Sequence, residues 1–336
     1  GIFPLTVGED EGDWPMSAVA RFVARAQFVG KGAVMVDASK SEEKELVIDA
    51  STFAPDDPRP VIDTHVVPAN KETLVSYVTP LGRPISLAVP TNMVRVTGTA
   101  PVEVTNATAV SGQACAGTLR YENVSEIIVS NTLPLKIGAA YGAKEVVLKD
   151  SNIFLPVNAA AYVENAADMI SIGNRPDAST PSRGSLTIEG NSVFTARVQV
   201  AGSNYTVGRL IQKGGTVCAL SSFVDGTSAT YGSGVGMGYE AYGYFELQGG
   251  RYTSLGFFNL ARQNYANGVI WQKGGVFEVL KHTSSTSASS TEAWMNMSHS
   301  SSARSHFRIS GGHAVWTGSQ LFRGGYCHGV VTADGP

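Results

Sequence analysis

One pattern of apolar and polar positions repeats through the second half of the chain. In each copy, apolar residues alternate with polar ones, a Gly-Gly or Gly-Asn step follows, and the alternation resumes. A period of two on both sides of a glycine step predicts a strand, a tight turn and a second strand. The five copies are Leu186–Val193, Leu210–Val217, Phe245–Tyr252, Ile270–Phe277 and Phe307–Ala314.

The turn glycines of these copies set the length of the repeat. Their first members stand at positions 190, 214, 249, 274 and 311, so the steps are 24, 35, 25 and 37 residues. Such steps are too long for a β-hairpin and fit one circuit of a solenoid, whose circuits stack about 4.8 Å apart in parallel sheets. The predicted turn glycines are Gly190, Gly214, Gly215, Gly249, Gly250, Gly274, Gly275, Gly311 and Gly312.

Further strands are predicted between the glycine steps and upstream of them. We expect apolar residues at matched positions to form inward rows, and Gln212 and Gln272 to form an amide ladder. The strands between the glycine steps are Arg197–Ala201, Val235–Ala241, Phe257–Ala261 and Trp294–Met297. The upstream strands are Val94–Val96, Val102–Val104, Glu126–Val129, Glu145–Leu148 and Met169–Ile172.

The pattern therefore predicts an all-β fold, a single-stranded parallel β-helix (β-solenoid) with irregular coils over residues 91–336. Its clearest repeats span residues 184–320. Residues 1–90 are predicted to be an N-terminal cap or a small β-rich module, because prolines concentrate between 53 and 90. Within that region Ser17–Val29 has the apolar spacing of a short capping helix, and a β-strand over Arg25–Val29 is the alternative.

Two stretches carry a family resemblance. Gly208–Val217 (GRLIQKGGTV) and Tyr242–Arg251 (YGYFELQGGR) resemble the autotransporter-associated β-strand repeats of large bacterial surface proteins. The resemblance covers about residues 180–320 and implies a pectin-lyase-like parallel β-helix at the cell surface or outside the cell. This chain differs from those repeats in its bulkier aromatic residues.

Composition and charge narrow the classes of partner. Charged residues make up 16% of the chain, against about a quarter in a usual soluble domain. The net charge of −3 gives no basic excess, so nucleic acid is not an expected partner, and no apolar run is long enough to predict a membrane span. Residues 1–180 carry net −7 and residues 181–336 net +4, which suits head-to-tail self-association or is an ordinary fluctuation of surface charge.

Side chains with catalytic or metal-binding chemistry do not form a recognisable motif. Glycoside hydrolysis needs two carboxylates at a defined separation, and two candidate pairs lie near one another in sequence. An acidic loop could bind a cation, and a row of histidines spaced by seven residues could bind a metal. For both groups a solvated loop is the stronger interpretation. These residues are Glu240 with Glu246, Asp168 with Asp177, the loop of Asp56, Asp57, Asp63 and His65, and the row of His299, His306 and His313.

Cysteine usage adds no metal motif. Cys115, Cys218 and Cys327 lie too far apart for a zinc motif or a redox pair, and Cys218, between two apolar residues, is predicted to be a small core residue. We expect no cofactor and no metal.

Aromatic residues that cluster between Tyr231 and Trp271, with Trp294 nearby, offer the best candidates for ligand contact. Exposed aromatic rings stack on sugars; the alternative is that alternate members fill the core. The candidates are Tyr239, Tyr242, Tyr244, Trp271 and Trp294.

The sequence thus predicts an extracellular or cell-surface protein, structural or adhesive and not an enzyme, that self-associates into fibres and contacts surface glycans. The alternatives are a carbohydrate-active β-helix, such as a polysaccharide lyase, a hydrolase or a phage-type spike, and a non-catalytic glycan-binding module.

Overall fold

All regular structure in the described part of the chain is β-strand. The computed structural model describes residues 34–37, 45–49, 61–67, 72–78, 84–90, 93–97, 102–105, 118–129, 135–138, 145–154, 169–173, 182–220, 233–281, 294–317 and 328–333. The strands are β1 (Val34–Asp37), β2 (Glu45–Asp49), β3 (Val61–Val67), β4 (Glu72–Val78), β5 (Pro84–Pro90), β6 (Met93–Thr97), β7 (Val102–Thr105), β8 (Thr118–Glu122), β9 (Ile127–Val129), β10 (Leu135–Ile137), β11 (Glu145–Lys149), β12 (Ile153–Phe154), β13 (Met169–Ile172), β14 (Ser182–Glu189), β15 (Val193–Val200), β16 (Thr206–Gln212), β17 (Thr216–Leu220), β18 (Ser233–Val235), β19 (Tyr242–Leu247), β20 (Arg251–Leu255), β21 (Phe257–Leu260), β22 (Asn267–Gln272), β23 (Val276–Leu280), β24 (Trp294–Met297), β25 (Arg304–Ile309), β26 (His313–Trp316) and β27 (His328–Ala333).

Ten of these strands form one all-parallel sheet, in the order β2-β6-β8-β11-β14-β16-β19-β22-β25-β27. Each strand pairs with the next member along the chain, so every pass of the chain runs in the same direction beside the preceding pass. Parallel neighbours need a long crossover between them, and the other strands of each pass supply it. The prediction of an all-β fold with parallel strands is confirmed.

The remaining seventeen strands form the second sheet. Its described pairings are parallel except at β3–β4 and β4–β5, which are antiparallel. These three strands lie in the proline-containing stretch for which the sequence predicts a cap or a small β-rich module. The boundary at residue 90 stays a prediction, and Ser17–Val29 lies outside the described residues.

The core lies between the two sheets and consists of matched apolar rows. One row comes from the ten-stranded sheet, and each of its members is fully buried; they are Leu186, Leu210, Phe245, Ile270 and Phe307. Across from it, the ring of Tyr252 stacks on Phe277 with centroids 5.6 Å apart and packs 4.8 Å from Phe245. The predicted inward rows are therefore present, and aromatic pairs of this geometry add to the burial free energy.

The glycine turns connect a strand of one sheet to a strand of the other, and successive turns stack on one another. Gly275 has φ +69° and Gly215 has φ +72°, a left-handed conformation that only glycine adopts without strain. The carbonyl of Gly215 accepts a hydrogen bond from the Arg251 amide at 2.9 Å, and that of Gly275 accepts one from the His313 amide at 2.9 Å. Backbone hydrogen bonds thus continue from turn to turn across successive passes.

Three local predictions are wrong. The strand predicted at Val235–Ala241 ends at Val235, because Gly236 takes φ +70° and starts a turn. Cys218 is not a core residue, because Val217 and Ala219 face the core and strand alternation turns Cys218 outward, where it is half-buried and free. The amide ladder fails because the register places Leu247 between Gln212 and Gln272.

The side chains of Gln212 and Gln272 instead donate hydrogen bonds to the glycine turns. The Nε2 atom of Gln212 donates to the Arg251 carbonyl at 3.0 Å and to the Gly215 carbonyl at 3.3 Å. Gln272 makes the same pair of bonds, to the carbonyls of His313 at 2.9 Å and Gly275 at 3.3 Å. Each buried amide therefore joins a turn to the following pass of the chain.

Candidate functional site

The outward side chains of β16, β19, β22 and β25, with the residue that follows each of the four strands, form one surface, called here the outer face. Strand alternation produces it, because the residues between two inward rows point away from the core. The register aligns the outward residues of the strands in three rows. The residues that follow the strands form a fourth row, because their amides donate to the carbonyl groups at the end of the preceding strand. Its members are Val207, Arg209, Ile211, Lys213, Tyr242, Tyr244, Glu246, Gln248, Asn267, Val269, Trp271, Lys273, Arg304, His306, Arg308 and Ser310.

Glu246 lies near the centre of the outer face and is held by three donors. Lys273 Nζ donates to Oε1 at 2.6 Å, Gln248 Nε2 donates to the same oxygen at 2.7 Å, and the Tyr244 hydroxyl donates to Oε2 at 2.6 Å. The side chain of Glu246 is 8% exposed. Charge-assisted hydrogen bonds of this length are among the stronger ones in proteins, so the carboxylate has a fixed position.

The protonation of this group follows from the same contacts. Burial alone would raise the pKa of Glu246, but the hydrogen bonds from Lys273, Tyr244 and Gln248 outweigh it and lower the pKa to about 2. The pKa of Tyr244 is raised, first by burial and then by its hydrogen bond to Glu246. The carboxylate is therefore ionised and the hydroxyl protonated at neutral pH, which is unsuited to general acid catalysis by Glu246.

A second carboxylate does not join Glu246 on the outer face. Glu240 lies in the turn before β19, with φ +48°, and accepts a hydrogen bond that raises the pKa of Tyr239. Among the sixteen residues of the outer face, Glu246 is the one acid. Asp168 and Asp177 lie outside the described residues. The described part of the chain thus lacks the paired carboxylates of a glycosidase on this surface.

Trp271 lies beside Glu246 in the same row and contacts two cations. Lys273 Nζ is 3.8 Å from the ring centroid, and the Arg308 guanidinium carbon is 4.9 Å from it. The indole N–H donates to Ser310 Oγ at 2.9 Å. Cation–π contacts and the hydrogen bond fix the ring on the sheet, so Trp271 is a rigid aromatic group with a partly exposed surface.

Three tyrosines form a second aromatic group at the turns that precede β16, β19 and β22. Tyr239 packs edge-to-face against Tyr205 and Tyr265, with centroids 5.5 Å and 5.7 Å apart. The Tyr205 amide donates to the Tyr239 carbonyl at 2.8 Å, and the Tyr239 amide donates to Asn204 Oδ1 at 2.9 Å. We call Tyr205, Tyr239 and Tyr265 the tyrosine cluster.

Tyr242 adds an exposed aromatic ring on the outer face, three residues after Tyr239 of the tyrosine cluster. Tyr205, Tyr265 and Tyr242 are 45%, 55% and 57% exposed, unusually open for large aromatic side chains. Tyr242 and Tyr244 are two residues apart on β19 and therefore share its outer side. Exposed aromatic side chains therefore lie both at the turns and on the outer face.

The structure brings together four of the five aromatic candidates. Tyr239 lies in the tyrosine cluster, while Tyr242, Tyr244 and Trp271 lie on the outer face. Trp294 begins β24 in the seventeen-stranded sheet and is separate from them.

Sequence reasoning missed Tyr205 as a member of the cluster. A signal for it existed, since Tyr205 and Tyr265 are 60 residues apart, the same spacing as Gln212 and Gln272. The cations Lys273 and Arg308 were also missed, because their contact with Trp271 depends on pairing between strands.

The histidine row, the weaker interpretation of the spacing by seven, does not form in the structure. His306 is on β25, where its ring pairs with Thr332 Oγ1 at 3.0 Å, and His313 is on β26 of the other sheet. No group of three or more histidine, cysteine or acidic side chains that could hold a metal ion occurs among the described residues. Asp63 and His65 lie in β3, and Asp56 and Asp57 lie outside the described residues.

The comparisons with known proteins give no relative: no protein-family model, no curated protein and no solved structure matches this chain. Within the described ranges, no helix has the length and apolar character needed to cross a membrane.

Proposed function

We propose that this chain is a parallel β-helix that works as an adhesive module, at the cell surface or outside the cell, and binds glycans on the tyrosine cluster and outer face. Parallel pairing of successive passes and turns that hydrogen-bond to the preceding turn support the β-helix. The resemblance to autotransporter-associated β-strand repeats supports a location at the cell surface or outside the cell.

The exposed aromatic surface is the observation that carries this function. An aromatic ring presents a flat apolar face, and a tyrosine adds a polar hydroxyl at its edge, which together suit the C–H faces and hydroxyl groups of a sugar. Tyr239 packs edge-to-face against Tyr205 and Tyr265. Trp271 is fixed by contacts with Lys273, Arg308 and Ser310. Rings that are already ordered lose little conformational entropy when a ligand binds.

The ionised state of the Glu246 carboxylate at neutral pH agrees with glycan binding without catalysis. A general acid for glycosidic cleavage needs a raised pKa, whereas the pKa of Glu246 is about 2. All of its strong hydrogen bonds point to a positioning role: the carboxylate fixes Lys273 and Tyr244 in place. The geometry therefore favours a module that holds sugars over one that cleaves them.

Glycan-array binding with paired variants tests this function. Tyr242→Ser/Tyr265→Ser removes two exposed rings, and we expect at least about a tenfold loss of affinity for glycans that bind the unaltered chain. Val193→Ser is the matched control, because Val193 is 45% exposed on β15, away from the outer face. The unfolding temperature of each variant is measured alongside. A chain that binds no glycan, or a double variant that binds as the unaltered chain does, would contradict the proposal.

A further inference from the structure

The outer face carries an excess of positive charge. Its cations are five, namely Arg209, Lys213, Lys273, Arg304 and Arg308, against the single carboxylate of Glu246. This concentration is local, because the whole chain has a net charge of −3. Closely spaced charges of one sign produce a potential that attracts ligands of the opposite sign.

The strands that precede the outer face in the same sheet differ in this respect. On β8, β11 and β14 the outward charges compensate one another: Arg120 pairs with Glu122 at 2.9 Å and with Glu189 at 3.2 Å, and Lys149 pairs with Glu122 at 3.5 Å. Lys213, at the border, also pairs with Glu189 at 2.8 Å. The sheet thus passes from a self-neutralised surface to one where cations predominate.

Several cations of the outer face keep donors for a ligand. Arg209 and Arg304 form no ion pair with any described residue and are both exposed. The positive charge of Arg209 also acts on the Tyr244 hydroxyl, so this cation lies close to the aromatic surface. Lys273 donates one of its three N–H groups to Glu246, and its ammonium group lies over the Trp271 ring.

From this arrangement we propose that the glycan ligand is an acidic polysaccharide, with carboxylate or sulfate groups on its sugar rings. The rings lie against the tyrosine cluster, Tyr242 and Trp271, and the anionic groups meet Arg209, Lys273 and Arg304. Arginine presents a planar set of donors that matches the two oxygens of an acidic group. This inference rests on the proposed glycan binding and adds the charge of the ligand.

Affinity electrophoresis of the folded chain tests the inference. The gels contain polygalacturonate, dextran sulfate, neutral dextran or polyglutamate, the last carrying carboxylates without sugar rings. We expect retardation in one or both acidic polysaccharide gels, with the two arms distinguishing carboxylate from sulfate. Retardation falls as salt rises, because the attraction between exposed charges is screened.

Charge variants then locate the site. Arg209→Gln/Arg304→Gln is expected to weaken binding to the acidic polysaccharide by about tenfold. Lys149→Gln/Lys281→Gln is the matched control, since it removes the same charge from outside the outer face and is expected to leave binding unchanged. Equal weakening by both double variants would overturn the inference, because binding would then follow net charge and not this surface.

The remaining outcomes separate the two proposals. Retardation by neutral dextran as strong as that by the acidic polymers supports glycan binding and overturns the charge inference. Retardation by polyglutamate as strong as that by polygalacturonate overturns it as well, because sugar rings would contribute nothing. If no polysaccharide retards the chain and the glycan array is also blank, both proposals are wrong.

Discussion

At the scale of single residues, Glu246 makes a testable contribution to stability. Glu246→Gln removes the ion pair with Lys273 and is expected to lower the free energy of unfolding by roughly 1–3 kcal/mol at neutral pH. The folded-state pKa of about 2 lies below the ordinary carboxyl value of 4.5. The ionised carboxylate therefore stabilises the fold above pH 4.5, and this contribution declines as the pH falls towards 2.

Unfolding of both chains by urea at pH 7 and at pH 3 measures this effect. The difference between Glu246→Gln and the unaltered chain should shrink at the lower pH, while carboxylates elsewhere affect both chains alike. Glu240→Gln is a control in a neighbouring turn and should change stability by less than about 0.5 kcal/mol at both pH values. A difference that stays constant between pH 7 and pH 3 would mean that the Glu246 carboxylate is not what the substitution removes.

Residue-scale prediction from the sequence reached the inward and outward assignments but not the charge partners. Alternation identifies Phe245 as inward and Glu246 as lying between inward positions. The ion-pair partner of Glu246 is Lys273, 27 residues away, and one of the two partners of Arg120 is Glu189, 69 residues away. These separations along the sequence depend on the lengths of the intervening passes. Alternation within one strand does not encode those lengths.

At the scale of strands and turns, we expect the glycine steps to be sensitive to substitution. Gly275→Ala places a Cβ 2.6 Å from the Gly250 carbonyl oxygen at a φ of +69°. The conformation alone costs about 1–2 kcal/mol, and the contact with rigid backbone adds to it. We expect a clear fall in the unfolding temperature, measured by circular dichroism.

Gly329→Ala is the matched control for that substitution. Its Cβ would meet side-chain atoms of Ser305 at 3.1 Å and of Met297 at 3.2 Å and 3.3 Å, which is looser than the 2.6 Å approach to backbone at Gly275, and its φ is not in the left-handed range. The unfolding temperature should change less than for Gly275→Ala. Equal losses at the two positions would show that stability does not depend on the stacked turns.

Strand prediction succeeded in runs without glycine and failed where glycines occupied alternate positions. Met169–Ile172 and Trp294–Met297 have the predicted bounds. Val235–Ala241 alternates in sequence, yet Gly236 and Gly238 occupy its polar positions and the chain turns there. A glycine in an alternating run is compatible with a strand or a turn, and only the packing of neighbouring passes decides between them.

At the scale of the whole molecule, the last strand of the ten-stranded order exposes apolar side chains, and we expect it to take part in self-association. Among the described strands, β27 pairs with β25 alone. Val331 is aligned with the buried Phe307 in the inward row but is 43% exposed, and Val330 is 52% exposed. An open apolar strand edge is a template for another chain. A head-to-tail contact that does not close on itself produces filaments.

We therefore expect filaments in electron micrographs of the purified chain, more numerous at higher protein concentration. Val331→Lys places a charge in the inward row at this edge and should abolish them, whereas Val193→Lys, at an exposed position on β15, should not. High salt should shorten the filaments, because the net charges of −7 and +4 on the two parts of the chain attract one another less when screened. Discrete particles at every concentration would contradict self-assembly while leaving glycan binding untouched, because the outer face runs along the sheet and not across its end.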